Sequence, residues 1–292
     1  MNLATLIEQT ASRLSQAGVS FGHGTSNAQD EAAWLVLWAL KLPLDTDIHS
    51  TEPPALNTAG LQRVEDVLEQ RIATRKPLAY LTHEAWLQGV SFYVDERTIV
   101  PRSLIAELLV DASLDYWLSD STHSVLDLCT GNASLAILAA MVYPDVRVTG
   151  ADISTDALAV GRINVERHAL QDRVRLVQSD GLSQVQGRFD LILCNPPYVN
   201  AQSMADLPAE YRAEPTLALD GNTHGHADGM DFIRDLLANT RASMNEGAVL
   251  VLEIGNERAH FEAAFPALQP IWLETSAGAD QVLLLTRDAL PS

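Results

Sequence analysis

The first part of the chain repeats apolar residues three and four positions apart, which is the spacing of one face of an amphipathic helix. This spacing runs along residues 2–18, 27–42 and 55–75. Glycine and proline, which favour turns, interrupt it at residues 18–24 and 43–54. The pattern predicts a small helical domain at the amino terminus.

The pattern changes to short alternation at residues 87–99, where Ser91 to Val94 places polar and apolar side chains in turn. Gln88 and Gly89 provide a hairpin turn between two short strands. We therefore predict a β-hairpin between two larger parts of the chain. The predicted division is a helical domain at 1–82, a β-hairpin linker at 83–100 and a larger domain at 101–292.

Beyond residue 103, apolar strand-like runs alternate with stretches of helical spacing. The predicted strands cover residues 125–129, 148–152, 174–180, 189–195, 248–255 and 281–286, and the predicted helices cover 104–118, 134–143, 156–169, 229–244 and 258–265. Strands that alternate with helices pair in parallel and are covered on both faces. The fold class predicted is α/β, with a doubly wound, Rossmann-like sheet.

Composition supports a folded protein in a reducing compartment. The chain has 292 residues, of which 47% are hydrophobic and 20% are charged, so it can bury a core. Its apolar runs are shorter than the roughly 20 residues that cross a bilayer, which predicts no membrane span. Two cysteines are too few for a disulfide framework or a thiolate metal site. We expect a cytoplasmic protein without a metal site.

The net charge of −19 constrains the partners. Proteins that bind a phosphate backbone neutralise it with lysine and arginine, and this chain has 19 such residues against 38 acidic ones. We therefore expect no direct binding to duplex nucleic acid. An anionic surface attracts a basic partner instead.

A glycine turn and two acidic residues follow three successive predicted strands. Gly131 lies in the first turn, between Asp127 and Ala136, where its backbone can approach a ligand at a helix amino terminus. Asp152 ends the next strand about twenty residues later, a distance typical of an acid that binds ribose hydroxyls. Asp180 ends the third strand, where it would lie beside an adenine ring or cap a helix. A nicotinamide cofactor would use the same turn and Asp152.

The string Asn195-Pro196-Pro197-Tyr198 follows the fourth strand, at the edge of the sheet where α/β proteins bind ligands. A planar NH2 group is a poor nucleophile because its lone pair is delocalised. If the Asn195 side-chain oxygen and the Pro196 carbonyl each accept one of its hydrogens, the nitrogen is fixed for reaction. Tyr198 can stack on the planar group. The string thus predicts catalysis on an amide or an adenine.

These motifs together resemble those of the class I methyltransferases that use S-adenosylmethionine and act on planar NH2 groups. The segment 71–108, in which the hairpin is followed by Val100-Pro101-Arg102, is similar to the bacterial protein-glutamine N(5)-methyltransferases. The resemblance covers nearly the whole chain, and it implies that the helical domain at 1–82 recognises the substrate and that 101–292 is the methyltransferase domain. It implies that S-adenosyl-L-methionine is the cofactor and that Asn195, Pro196, Pro197 and Tyr198 are catalytic. It implies cofactor binding by Asp127, Cys129, Thr130, Gly131, Asn132, Ala133, Asp152, Ile153, Asp180, Gly181 and Asn195.

The substrate that the resemblance implies depends on the residues after Arg102. Release-factor enzymes of the family continue with a proline, whereas this chain has Ser103. That variant resembles the branch that methylates large-subunit ribosomal protein L3, so the implied reaction is methyl transfer to a glutamine side chain of that basic protein. Release factors, an adenine N(6) position in nucleic acid and a non-catalytic role in ribosome assembly are the alternatives.

Two further expectations concern particular side chains. Asp206, Glu210, Glu214 and Asp220 follow the Asn195 string and are expected to form an acidic loop that guides a basic substrate. The family has glycine where this chain has Ala133, so we expect the alanine methyl group to crowd the cofactor and reduce its affinity.

Overall fold

The computed structural model describes residues 2–50 and 56–291. The end of the predicted break at 43–54 and the first residue of the predicted helix at 55–75 lie outside the described residues. The chain forms two compact units, which are Met1–Ala85 with Pro208–Ala213, and Trp86–Leu207 with Glu214–Ser292. The three-part division at residues 82 and 100 stays a prediction.

The first unit is helical, as the apolar spacing predicts. Its helices are α1 (Leu3–Gln16), α2 (Ala28–Leu40), α3 (Thr58–Thr74) and α4 (Leu78–Thr82). The side chains of Asn2, Asn27 and Asn57 each accept a hydrogen bond from a backbone N–H three residues later. Each of these caps satisfies one of the free donors at a helix start, which fixes where the first three helices begin.

A buried ion cluster lies inside the first unit. The fully buried Arg71 donates through Nε to Glu31 at 2.8 Å and through Nη1 to Glu210 at 3.3 Å. Arg75 lies 2.7 Å from the same Glu210 carboxylate, and the Ser20 N–H also donates to it. These contacts hold the segment 208–213 in the helical unit.

The second unit contains a β-hairpin and a seven-stranded sheet. The hairpin strands are β1 (Ala85–Leu87) and β2 (Val90–Phe92), and the sheet strands are β3 (Ser124–Leu128), β4 (Arg147–Asp152), β5 (Val174–Gln178), β6 (Phe189–Cys194), β7 (Met244–Glu253), β8 (Ile271–Thr275) and β9 (Gly278–Thr286). Gln88 and Gly89 both have positive φ, as a tight hairpin turn requires, so the predicted turn is confirmed.

The sheet order is β5-β4-β3-β6-β7-β9-β8. The five strands from β5 to β7 pair in parallel, which confirms the predicted α/β core. The last two strands depart from parallel pairing, because β9 lies antiparallel to both β7 and β8. A short hairpin at residues 276–277 joins β8 to β9, and so short a link allows only antiparallel pairing.

Helices of the second unit pack on the two faces of the sheet, and they are α5 (Ile105–Val110), α6 (Ser134–Val142), α7 (Thr155–Arg167), α9 (Asp231–Asn239) and α10 (Arg258–Ala264). The short helix α8 (Ala201–Asp206) buries no side chain. Successive side chains of β3 enter opposite cores, with Val125 in one and Leu126 in the other. Within the described residues, no helix is both long and apolar enough to cross a bilayer.

Two predicted helices are shorter than their apolar spacing indicates. The helix expected at 104–118 ends at Val110, because Ala112 takes a left-handed conformation at φ 65° that breaks the helix. The helix expected at 229–244 covers only Asp231–Asn239. A tight 3-10 turn follows it, since strand β7 starts at Met244 and the chain must turn before that residue.

Candidate functional site

The predicted motifs meet where the order of the strands reverses. Strand β3 lies between β4, which follows it in the chain, and β6, which comes later. Leu128 at the end of β3 pairs with Cys194 at the end of β6, so the Gly131 turn and the Asn195 loop leave the sheet side by side. Ligands of open α/β sheets bind at such a switch point.

A cavity of about 750 Å³ opens at this edge of the sheet. Its volume falls in the range of small-molecule and cofactor sites. Eight of the predicted site residues line it: Cys129, Gly131, Asp152, Ile153, Asp180, Gly181, Asn195 and Pro197. The structure thus brings the predicted cofactor residues and the predicted catalytic loop to one space.

The other predicted site residues do not line the cavity. These are Asp127, Thr130, Asn132, Ala133, Pro196 and Tyr198. Asp127 lies in β3, Thr130, Asn132 and Ala133 belong to the turn after it, and Pro196 and Tyr198 flank the lining residue Pro197. The contact of Pro196 and Tyr198 with an acceptor therefore stays a prediction.

Asp127, in strand β3, supports the glycine turn through hydrogen bonds of its side chain. Its buried carboxylate accepts hydrogen bonds from Thr130 Oγ1 at 2.5 Å and from the Ala136 N–H at 3.0 Å. The carboxylate therefore joins the turn to the first turn of α6. Burial raises the pKa of Asp127 to about 7, although both hydrogen bonds act to lower it.

Replacing Asp127 with asparagine should flatten the dependence of stability on pH. A carboxyl group whose pKa is higher in the folded state than in the unfolded state stabilises the fold below the unfolded value, near 4, and loses this contribution as pH rises toward 7. One such group changes the free energy of unfolding by at most about 1.4 kcal/mol per pH unit. Urea unfolding of both proteins at several pH values from 4 to 7 measures the difference, and parallel curves would contradict the raised pKa.

Asp152 connects the glycine turn to the start of α7. One carboxylate oxygen accepts from the Gly131 N–H at 2.8 Å, and the other accepts from the Ser154 N–H at 2.9 Å. Burial raises the pKa of Asp152, against these backbone hydrogen bonds. Each oxygen retains a second lone pair, so the carboxylate can also accept hydrogen bonds from ribose hydroxyls at the cavity wall.

The expectation that Ala133 crowds the cofactor stays a prediction, and the structure places the alanine away from the cavity wall. Ala133 is fully buried, belongs to the hydrophobic core and does not line the cavity. Its methyl carbon lies 3.3 Å from where Gly161 would carry a Cβ. The alanine does adopt a left-handed φ of 65°, so it affects the conformation of the turn.

The residues of this cavity fit an adenosyl cofactor that carries an amino acid. A Cβ on Gly131 would meet no atom within 4 Å, so the turn leaves open space beside its backbone. The buried Asn132 side chain has an amide nitrogen without a hydrogen-bond partner in the part of the chain described here. Ile153 exposes 45% of its surface where it lines the cavity, and an aliphatic side chain can pack on an adenine ring.

Two glycines hold the loop that contains Tyr198. Gly229 has a φ of 77°, and a Cβ there would collide with the Tyr198 carbonyl oxygen. Gly255 has a φ of 52°, and its Cβ would lie 2.7 Å from the Tyr198 ring. Burial raises the pKa of the Tyr198 phenol, and the nearby Glu253 carboxyl adds to the increase. The ring is therefore a neutral, closely packed group beside Asn195.

Replacing Gly255 with alanine should displace the Tyr198 ring and lower catalysis. A displacement near 1 Å in a site that depends on alignment costs about 10²-fold in kcat. Cofactor affinity should change little, because Gly255 does not line the cavity. Gly247→Ala is the matched control, since Gly247 also has positive φ but would meet no atom within 4 Å. Equal effects of the two replacements on kcat would contradict a role for the ring position.

The predicted acidic loop is wrong for two of its four carboxylates. Glu210 belongs to the buried cluster of the first unit, where it is fully buried. Glu214 is 3% exposed and accepts from both terminal nitrogens of Arg102, at 2.6 and 2.8 Å. These carboxylates support the fold, because each is neutralised by arginine. Asp206 remains exposed and Asp220 half-buried.

Many residues that line the cavity lie outside the motifs found in the sequence. Those from the segments 97–99 and 215–243 are Arg97, Thr98, Ile99, Pro215, Leu217, Ala218, Thr223, His224, Phe232, Asp235, Leu236, Asn239 and Ser243. Residues 97–99 immediately precede the Val100-Pro101-Arg102 string that carries the family resemblance, so a signal was present at that position. Residues 215–243 belong to a long loop and a helix whose apolar spacing indicates only helix packing.

Comparisons with known proteins agree with this geometry. The family model described as Methyltransferase small domain matches residues 106–211. A protein named Ribosomal protein uL3 glutamine methyltransferase from Bordetella pertussis is 50% identical over 291 residues, which cover 99% of this chain and 96% of that protein. A protein of the same name from Burkholderia pseudomallei is 48% identical, over 98% of this chain and 95% of its own.

Among solved structures, this chain is similar to the hMettl16 catalytic domain in complex with MAT2A 3'UTR hairpin 6. The two share 12% sequence identity with a TM-score of 0.52, over 81% of this chain and 85% of the other. Similarity at this level of identity concerns the fold only. The identity to the relatives, over nearly their full length, confirms the resemblance seen in the sequence. The chain therefore belongs to the ribosomal protein uL3 glutamine methyltransferase family, within the class I methyltransferases that use S-adenosylmethionine.

Proposed function

We propose that this protein transfers a methyl group from S-adenosylmethionine to the side-chain amide nitrogen of a glutamine in ribosomal protein uL3. The observation that carries the proposal is that Asn195 lines the same cavity as Gly131 and Asp152. A group that binds an amide acceptor and groups that bind the methyl donor therefore share one space. Relatives with 46–50% identity that are named for this reaction support the choice of substrate.

The cofactor is proposed to lie along the strand ends from β3 to β5. Asp152 would accept hydrogen bonds from the ribose hydroxyls, Asp180 would lie at the adenine end and the Gly131 turn would follow the amino acid part. Strands β3, β4 and β5, at whose ends these residues lie, are neighbours in the sheet, which supports this arrangement. When bound, S-adenosylmethionine supplies an electrophilic methyl group on a positively charged sulfur.

The Asn195 loop is proposed to orient the acceptor amide. The Asn195 side-chain oxygen would accept one amide hydrogen and the Pro196 carbonyl the other, which fixes the plane of the glutamine group. Proline has no N–H, so no competing donor accompanies that peptide group. Because the residues orient the acceptor and exclude water, the rate depends on alignment and electrostatics and needs no strong base.

Charge supports a basic protein as the partner. The chain carries a net charge of −19, and charge complementarity accelerates the encounter of partners. The carboxylates of Glu210 and Glu214 contribute to this total although they are paired inside the fold. Raising the salt concentration should therefore lower kcat/KM more than kcat.

The proposal is tested by competition among acceptors. The protein is incubated with isotopically labelled S-adenosylmethionine and equal amounts of unmethylated uL3, a release factor and ribosomal RNA, and the label is located by mass spectrometry. We expect one methyl group on a glutamine side chain of uL3. Label on the release factor alone would assign a different glutamine substrate, and label on adenine alone would overturn the proposal.

A further inference from the structure

The charged side chains that line the cavity are mostly acidic. Its lining includes the carboxyl groups of Asp152, Asp180 and Asp235. Among the described residues that line it, Arg97 is the one lysine or arginine. A negatively charged group that enters this cavity therefore has a single strongly basic side chain to pair with.

Arg97 is held in place by an adjacent carboxylate. Its Nε and Nη2 donate to the two oxygens of Asp95 at 2.8 and 2.6 Å, and the Tyr93 hydroxyl donates to the same carboxylate at 2.9 Å. The hydrogen bond to Asp95 raises the pKa of Arg97, so its charge is permanent. Burial acts to raise the pKa of Asp95, but its hydrogen bonds with Arg97 and Tyr93 outweigh this and lower it.

One edge of the guanidinium remains available. No hydrogen bond or ion pair involves Arg97 Nη1 within residues 2–50 and 56–291, and 38% of the side chain is exposed. A guanidinium has five N–H donors in a rigid plane, so pairing one edge with Asp95 leaves the other oriented for a second anion. Pre-organisation of this kind reduces the entropy cost of binding.

The segment that carries Arg97 runs beside the glycine turn. Asn164, which is fully buried, accepts a hydrogen bond from the Tyr93 N–H at 2.7 Å and donates to the Tyr93 carbonyl at 3.0 Å. The same amide nitrogen donates to the Asn132 carbonyl at 2.9 Å. One side chain thus joins the two backbones.

We propose that Arg97 binds the carboxylate of the amino acid part of S-adenosylmethionine through the edge of its guanidinium that Asp95 leaves free. This inference rests on the proposed function, since it assumes that the cofactor occupies this cavity. It explains why a pocket lined by three carboxyl groups accepts a molecule that carries a carboxylate. It also assigns to residues 95–97 a role in cofactor affinity that the strand-end motifs do not supply.

The test measures how the effect of Arg97 depends on the ligand carboxylate. Calorimetry gives the Kd of S-adenosylhomocysteine and of its decarboxylated analogue for the wild type and for Arg97→Met. A hydrogen bond between charged groups contributes about 10- to 100-fold in affinity. We expect Arg97→Met to raise the Kd of S-adenosylhomocysteine by that factor and to change the Kd of the decarboxylated analogue less than about threefold. Arg97→Lys, which keeps the charge but loses the fork, should give an intermediate loss.

Controls separate binding from folding. Arg162→Met removes an exposed arginine of α7 that does not line the cavity, and it should leave both Kd values unchanged. Thermal unfolding of each variant without ligand reports on the fold. If Arg97→Met raises the Kd of both ligands by the same factor, or changes neither Kd, the inference is overturned while the proposed function stands. If the wild type binds neither ligand, the proposed function fails and the inference fails with it.

Discussion

Replacing Asn195 with alanine is expected to lower kcat by about 10²- to 10³-fold and to leave the Kd of S-adenosylmethionine within about threefold of the wild-type value. The side-chain oxygen is proposed to accept a hydrogen from the acceptor amide, so its loss affects alignment of the reacting nitrogen. The cofactor retains Asp152 and the Gly131 turn, which line the same cavity. Single-turnover kinetics and calorimetry measure the two quantities separately.

The matched control for this variant is Asn245→Ala. Asn245 lies near the amino end of β7, where its amide donates to Asp190 at 2.7 Å, and it does not line the cavity. It should lose a little stability and keep its kcat. A kcat for Asn195→Ala within threefold of the wild type, or a large loss of cofactor affinity with unchanged kcat, would contradict the assigned role.

Replacing Arg71 with methionine is expected to lower the free energy of unfolding by about 3–5 kcal/mol. The guanidinium is fully buried and pairs with Glu31, which is 3% exposed, and with the fully buried Glu210. Without Arg71, two buried carboxylates lose a partner, although Arg75 still contacts Glu210. The loss should appear in denaturant unfolding followed by a probe in the helical unit.

A triple variant distinguishes the loss of a partner from a loss of packing. Arg71→Met combined with Glu31→Gln and Glu210→Gln removes the three fully or nearly fully buried charges, and it should recover much of the stability, because only the partly exposed Arg75 then lacks its carboxylate partner. A triple variant as unstable as Arg71→Met, or less stable, would show that the arginine contributes through packing. Exposed pairs such as Arg13–Glu65 provide the comparison, since exposed ion pairs contribute at most about 1 kcal/mol.

Local patterns predict those parts of the fold that depend on local interactions. The first three of the four helices of the first unit follow from apolar spacing and from asparagine caps, which act within three residues. The alternation of strands and helices predicts the parallel core in the same way. Strand β8 (Ile271–Thr275) is absent from the prediction because its half-buried residues show no clear alternation, and its pairing with β9 depends on the sheet edge.

The site is predictable to the extent that strand ends determine it. Gly131, Asp152 and Asn195 lie at the carboxyl ends of β3, β4 and β6, and parallel pairing brings such ends to one edge. The roles of Glu210 and Glu214 depend on arginines more than a hundred residues away in the chain, so their sequence indicates only an acidic loop. The segment that carries Arg97 is held beside the glycine turn by hydrogen bonds from Asn164 to the backbones of Tyr93 and Asn132. These are tertiary contacts, which no local sequence pattern contains.

The most direct test of the central claim is a crystal structure of the protein with S-adenosylhomocysteine and a uL3 peptide that contains the target glutamine. We predict that the glutamine side-chain nitrogen lies within about 3.2 Å of both the Asn195 side-chain oxygen and the Pro196 carbonyl, on the side that faces the cofactor sulfur. A glutamine bound elsewhere in the cavity, or these two oxygens directed away from it, would contradict the account.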